Sequence, residues 1–323
     1  MTEYQRILLT GGTGFVGSYL APALAKAYPE AKRALLVQNS GEHNAVGWDV
    51  VQADLQDTEA VERAVDLCQP DLVVHLAAQA SVAASISDQD LTTRVNADGS
   101  ANLARSLSRH VPGATVLFTS SSEVYGASFK SGTVDEDSAL EPLSAYGRSK
   151  CDAEQAFEQI LPATSKLIIA RPFNHTGPRQ DERFVLPSFA AQIARIEAGI
   201  QQPRIDVGDL SARRDFLHVR DVVSAYLSLI EAGSGLGERV IVNISSGQSY
   251  RLSDLLDELQ RLSTALFEIH VARDRLRPSD IAMASGANAK LIGLTGWQPH
   301  YSIQEVLADL LDYWRERIKI NAV

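Results

Sequence analysis

Residues 8–20 read "LLTGGTGFVGSYL": an apolar run, then Gly11, Gly14 and Gly17 three residues apart, then an amphipathic segment. Glycines at such a place let the chain turn tightly after a strand and let its backbone approach a pyrophosphate, which rests on the N-terminus of the next helix. Glycine spacing alone marks many ordinary turns. Set between a first strand and a first helix, it predicts a dinucleotide-binding unit. Outward from this stretch, β-rich runs at 6–10, 33–37, 50–53, 71–76, 115–119 and 167–171 alternate with helical patterns at 15–27, 58–67, 91–110 and 145–160. The alternation predicts an α/β fold, a doubly wound parallel sheet with both faces covered.

Past residue 172 the rhythm breaks, and Pro, Gly and Arg become frequent. The expected division is a cofactor domain of residues 1–173 plus about 214–245, and a smaller substrate-binding lobe of about 174–213 and 246–323. At 323 residues, with 45% hydrophobic and 22% charged residues, the chain can bury a sizeable core. A net charge of −10 argues against nucleic acid or an acidic membrane surface as partner. The two cysteines, Cys68 and Cys151, lack metal spacing, and no metal is expected. The start "MTEYQRILLTGG" has no basic region followed by an apolar stretch, so a cytoplasmic protein is expected.

"VVQADLQD" (50–57) puts Asp54 at a strand end, where its carboxylate suits an adenine amino group or, equally, a helix N-cap. Val37, Gln38 and Asn39 follow the second strand, with neither an acid for a ribose diol nor an arginine for a 2′-phosphate. NADP and NAD both stay open. "TSSSEVYG" (119–126) ends a buried strand in polar residues, a poor way to build a core and a good way to build a site. "SAYGRSK" (144–150) places Tyr146 and Lys150 four apart, on one helix face. A nearby ammonium is expected to lower the phenol's pKa, and Ser121 to bond the same substrate oxygen. A Tyr-x-x-x-Lys spacing alone fits any surface helix. The glycine loop, the serines and this pair in order make a site.

The motifs "GGTGFVG", "ADL", "HLAAQASVAAS", "SSSEVYG", "YGRSK", "RPFNHTGPRQ", "RRDFLHVRDV", "RPSD" and "TGWQP" together resemble the extended short-chain dehydrogenase/reductases nearly end to end. The resemblance implies a Rossmann domain, a nucleotide-sugar lobe and a homodimer made through a four-helix bundle. Matched by position, Ser121, Tyr146 and Lys150 are expected to be catalytic, with Glu123 beside them. Gly11, Gly14, Phe15, Val16, Gly17, Asn39, Asp54, Leu55, Leu76, Ala77, Ala78, Gln79, Pro172 and His175 are expected at the cofactor. Ser85, Ser122, Asn174, Arg179, Arg214 and Arg277 are expected at the sugar nucleotide, where guanidinium forks suit phosphate oxygens. His218, in an apolar run, reads as a core histidine.

The second half is most similar to reductases of GDP-4-keto-6-deoxy-mannose, with the GDP-mannose 4,6-dehydratases as near relatives. Glu123 stands where dehydratases of this family carry the base that removes the C5 proton. Ser122 replaces the acid that glucose-type dehydratases carry there. The segment "QNSGEHNAVGWD" (38–49) lacks the arginine-bearing loop of mannose-type dehydratases. The expectation is therefore reduction at C4, with Glu123 placing sugar hydroxyls and dehydration as the alternative. A non-catalytic cofactor-binding regulator is disfavoured, since both Tyr146 and Lys150 are present.

Overall fold

The structure is a computed structural model that describes residues 3–39, 41, 46–80, 85, 87–233, 235–275 and 281–321. Seven parallel strands form its central sheet: β1 (Arg6–Thr10), β2 (Lys32–Val37), β3 (Asp49–Gln52), β4 (Leu72–His75), β5 (Thr115–Thr119), β6 (Lys166–Pro172) and β10 (Arg239–Ile244). Their order is β10-β6-β5-β4-β1-β2-β3, with Thr10 of β1 opposite His75 of β4. The chain reverses direction across the sheet between β1 and β4, and ligands of such sheets bind in the crevice beyond that point.

Alternation along each strand sends side chains to two cores. Leu9, Leu35, Val74, Leu117, Ile168 and Val242 pack with Leu20 and Leu24 of α1 (Gly17–Ala27) and with Val222, Tyr226 and Leu229 of α7 (Val219–Ala232). Leu8, Leu36, Val73, Val116, Phe118 and Ile169 face the other way, onto α2 (Thr58–Cys68), α4 (Gly99–His110) and α5 (Ala145–Ile160). The helix expected over 91–110 is not continuous. A short α3 (Gln89–Thr93) passes through a wide π turn at Arg94–Asp98 before α4 begins.

A third core lies among α6 (Val185–Glu197), α8 (Leu252–Leu262) and α10 (Ile303–Asn321), with β8 (Arg204–Val207) against them. β9 (Arg213–His218) leads into α7 and pairs with β7 (Asn174–Thr176), β11 (Ser249–Arg251) and β13 (Met283–Ala284). β12 (Glu268–Val271) pairs with β8. Leu291 of α9 (Ala289–Thr295) and Trp297 join the first core, so the distal sequence returns to the sheet after β10.

Candidate active site

Gly11 and Gly17 show why the opening loop needs glycine. Gly11 has φ +70°, and a Cβ there would lie 2.6 Å from the Ala77 nitrogen, so the loops after β1 and β4 touch. A Cβ on Gly17 would lie 2.3 Å from the Gly11 carbonyl oxygen. Added side chains would close this cradle. Gly14 sits between them, donating its N–H to the Gly11 carbonyl at 3.1 Å, and Val16 accepts the first helical bond of α1 from Leu20 at 2.9 Å. Phe15 lies parallel to the His175 ring, with centroids 6.1 Å apart. The backbone cradle therefore fits a dinucleotide pyrophosphate.

A chain of buried hydrogen bonds holds the floor beneath it. The Ala77 N–H donates to Thr10 Oγ1 at 3.2 Å, and Thr10 Oγ1 meets His75 Nδ1 at 2.7 Å. On the other side His75 Nε2 meets Ser100 Oγ at 3.0 Å, and Ser100 donates onward to the Asn96 carbonyl. Ser100 has spent its proton, so it accepts from Nε2–H, leaving Nδ1 to accept from Thr10. His75 is thus neutral, and burial first, then the Lys150 charge, lowers its pKa to about 3. Asn96, buried in the π turn, accepts from Gln79 N–H at 2.7 Å and donates to Ser149 Oγ at 3.0 Å. Ser149 in turn donates to the Tyr146 carbonyl at 2.9 Å. One asparagine thereby ties the loop containing Leu76, Ala77, Ala78 and Gln79 to the helix bearing Tyr146. No local signal in the sequence marks Asn96, because the apolar spacing over 91–110 is that of a regular helix.

At the far end of the crevice Asp54 accepts from the Gln56 backbone N–H and from Gln38 Nε2, each at 2.9 Å. The Gln56 bond leads in lowering its pKa; burial opposes, and Gln38 assists. The N-cap of α2 is Asp57, which accepts from Ala60 N–H at 3.0 Å, so the capping reading of Asp54 fails. Leu55 is buried beneath Gly99, while Asn39 is exposed just beyond β2.

At the β5 end Ser121 caps the short turn Ser122–Val124 by accepting from Glu123 N–H at 3.2 Å. Gly147 lets that turn rest on α5, because a Cβ there would lie 2.6 Å from the Glu123 carbonyl oxygen. Ser121, Ser122, Tyr146 and Lys150 are buried together. The Tyr146 phenol is pushed up to about 12 by burial, against a hydrogen bond from Ser121, with the Glu123 carboxyl adding to the rise. Lys150 does not lower it as expected. Its ammonium turns to the Thr119 carbonyl at 2.7 Å and lies 5.0 Å from the Phe118 ring centre, and burial lowers its pKa to about 7, with Glu154 opposing. The spacing brings phenol and ammonium to one buried face, where desolvation is the main cause of both shifts.

The half-buried Glu123 has its pKa raised by burial, tempered by Arg214 and by the Ser144 hydroxyl at 3.5 Å. Arg214, pinned to the Arg213 carbonyl at 2.8 Å, has its own pKa lowered by burial and lifted by Glu123 and Asp209. The structure thus brings Glu123, Tyr146 and Arg214 within electrostatic reach. Pro172 ends β6, exposed Asn174 opens β7, and His175 donates from Nδ1 to the Phe173 carbonyl at 2.9 Å. Burial lowers the His175 pKa. Arg179, exposed and with φ +74°, lies 5.7 Å from the ring centre of Tyr19 in α1. Ser85 is fully buried, and Arg277 falls outside the described residues. His218 is a core residue, stacked on Tyr301 at 4.2 Å and meeting Asp309 at 3.0 Å. Among the described residues no His, Cys, Asp and Glu cluster could hold a metal ion, and no helix is long and apolar enough to cross a membrane.

The family model described as GDP-mannose 4,6 dehydratase matches residues 8–310. The chain belongs to this family. It is 34% identical to GDP-6-deoxy-D-mannose reductase of Pseudomonas aeruginosa, over 98% of this chain and 99% of that protein. The solved structure of RMD from Pseudomonas aeruginosa complexed with NADPH superposes with a TM-score of 0.81 at 32% identity, covering 97% of this chain and all of that one. The Thermus thermophilus UDP-glucose 4-epimerase complex with NAD gives 0.82 at 28% identity, covering 96% and 99%.

Family membership also accounts for the seven-strand order and for a crevice that opens on the loops after β1, β4 and β5. Such a crevice can hold a nicotinamide cofactor against a buried phenol.

Proposed function

We propose that the chain reduces the C4 keto group of a GDP-4-keto-6-deoxy-hexose to an alcohol with NADH or NADPH, forming a GDP-rhamnose-type product. The observation that carries this reading is the end-to-end likeness to the Pseudomonas reductase. The chain is an NAD(P)-dependent nucleotide-sugar oxidoreductase. A bound reduced nicotinamide supplies the hydride for C4. The Tyr146 phenol supplies the proton for the ketone oxygen, and Ser121 holds that oxygen by a hydrogen bond. A phenol pushed up to about 12 is fully protonated at neutral pH, the state a proton donor needs in the reductive direction. An enzyme that must first oxidise its sugar needs the tyrosinate instead. Lys150 shares the helix face of Tyr146 and completes the catalytic set by resemblance, with its ammonium held at the Thr119 carbonyl. Glu123 and Arg214 face the substrate side, the first toward sugar hydroxyls and the second toward the diphosphate. Asn174 and Arg277 complete that side by resemblance.

The lobes are 1–173 plus about 214–245 and about 174–213 plus 246–323, two copies pair through a four-helix bundle, and the protein works in the cytoplasm. Dehydration of GDP-mannose is the second reading, favoured by the family model and by the acid at Glu123. The test uses Glu123→Gln, which keeps size and hydrogen bonding but removes the base. Reduction of the 4-keto sugar, followed as loss of absorbance at 340 nm, is expected to fall by no more than about tenfold. GDP-mannose should stay untouched by the wild type. A GDP-mannose dehydratase activity cut by about 10²–10⁴ in the variant, with solvent deuterium at C5 in wild-type product, would replace the reductase assignment.

A further inference from the structure

The crevice's adenosine end carries a decision that the family resemblance leaves open, since the Pseudomonas structure holds NADPH and the Thermus one NAD. β2 and β3 run parallel, with Val37 opposite Gln52 as their last pair, so Gln38 and Asp54 leave adjacent strand ends. In sheets of this kind the cofactor's ribose is read just beyond β2. Gln38 Nε2 donates to Asp54 Oδ2 at 2.9 Å, while Gln52 Nε2 fixes the Gln38 carbonyl at 3.3 Å. A carboxylate only accepts, which settles the amide's orientation: nitrogen toward Asp54, Oε1 away from it. Gln38 Oε1 has no protein donor among the described residues, and Asp54 stays anionic beside it.

We infer that Gln38, oriented by Asp54, makes this chain an NADH enzyme: its Oε1 accepts from the ribose diol and, beside the Asp54 charge, rejects a 2′-phosphate. Ribose hydroxyls donate, and this strand end offers acceptors. A 2′-phosphate brings about two negative charges and only acceptor oxygens to the same place. A lysine or arginine beside Gln38 would reverse the preference. The sequence has no Lys or Arg from position 34 to 62. Arg33, early in β2, lies about 16 Å down the strand from Gln38. It donates to the carbonyls of Gly47, Ala25, Tyr28 and Pro29. Arg63, the next in sequence, pairs with Glu59 at 3.4 Å in α2.

This selection rests on the reading of the chain as a nicotinamide-dependent reductase, so its test omits sugar nucleotide. NADH and NADPH are titrated separately into the protein, with binding read from dinucleotide fluorescence at low salt and again in 0.5 M NaCl. NADH should bind at least tenfold more tightly, and salt should narrow the gap, because repulsion between exposed charges is screened. Gln38→Arg should tighten NADPH at least tenfold and weaken NADH, because the ribose diol loses its acceptor. NADPH binding as tight as NADH to the wild type overturns the selection. Binding of neither dinucleotide overturns it together with the reductase reading. Tight NADH binding without turnover of the GDP-keto sugar supports the selection and sinks only the reductase.

Discussion

At the scale of one residue, the phenol of Tyr146 shows burial outweighing charge. Its helix face and its four-residue distance from Lys150 would suggest a phenol made acidic by an ammonium, yet burial pushes it up to about 12, and the ammonium is held at the Thr119 carbonyl. Desolvation penalises the tyrosinate more than Ser121 stabilises it. A protonated phenol acts as donor, which fixes what its loss should do. Tyr146→Phe removes one hydroxyl and no packing, so keto-sugar reduction should fall about 10²- to 10⁴-fold. NADH affinity should stay within about threefold, as the glycine cradle is untouched. Single-turnover hydride transfer and cofactor titration read the two separately. Near-full turnover in the variant would remove Tyr146 from the reaction.

At the scale of elements, α5 is anchored twice to the sheet that it must serve. Glu154 accepts from Arg171 Nε at 2.9 Å and from Nη2 at 2.6 Å, both side chains buried, and Tyr125 joins through Arg171 Nη1 at 3.0 Å. Burial alone would lower the Arg171 pKa, but the paired carboxylate raises it. Glu154→Gln leaves a buried guanidinium uncompensated and should cost about 3–5 kcal/mol in urea unfolding. Glu154→Leu with Arg171→Met should recover most of that, and equal losses in the single and double variants would refute the account. The strands and the helices around this anchor were legible in the sequence because continuous apolar runs and helical patterns follow from burial alone. The turn at Arg94–Asp98 was not. Asn96 lies in a segment whose apolar spacing reads as unbroken helix, and the bonds that widen it come from Gln79 and Ser149, 17 and 53 residues away. The glycines and the Tyr-Ser-Lys trio were legible as motifs, while the turn of Lys150 toward a carbonyl depends on tertiary burial that no local pattern encodes.

At the scale of the whole molecule, buried neutral histidines set a limit on acid stability. His75 lies between β1, β4 and α4, with Nδ1 accepting from Thr10 and Nε2 donating to Ser100. Protonation would put a second donor against Thr10 in a site where Lys150 is already charged. His175 and His218 are also lowered, burial being the main cause in each. A histidine whose folded pKa is below its unfolded value binds fewer protons when folded, so its contribution is intact above pH 6.5 and is lost as pH falls toward the folded value. For His75, with about 3 against 6.5, the loss between pH 7.5 and pH 5 is about 2 kcal/mol. Asp215, pushed up to about 6 by burial, works in the opposite direction, and its folded form gains about 1 kcal/mol over the same range. Asp215 thus offsets part of the His75 loss in the wild type, and a variant is needed to isolate the histidine. His75→Gln keeps a donor and an acceptor but cannot titrate. It should be less stable than wild type at pH 7.5, with that deficit shrinking by about 2 kcal/mol at pH 5, measured by urea unfolding at both pH values. A deficit unchanged with pH would mean that His75 carries its proton in the folded protein, and the neutral bridge from Thr10 to Ser100 would be wrong.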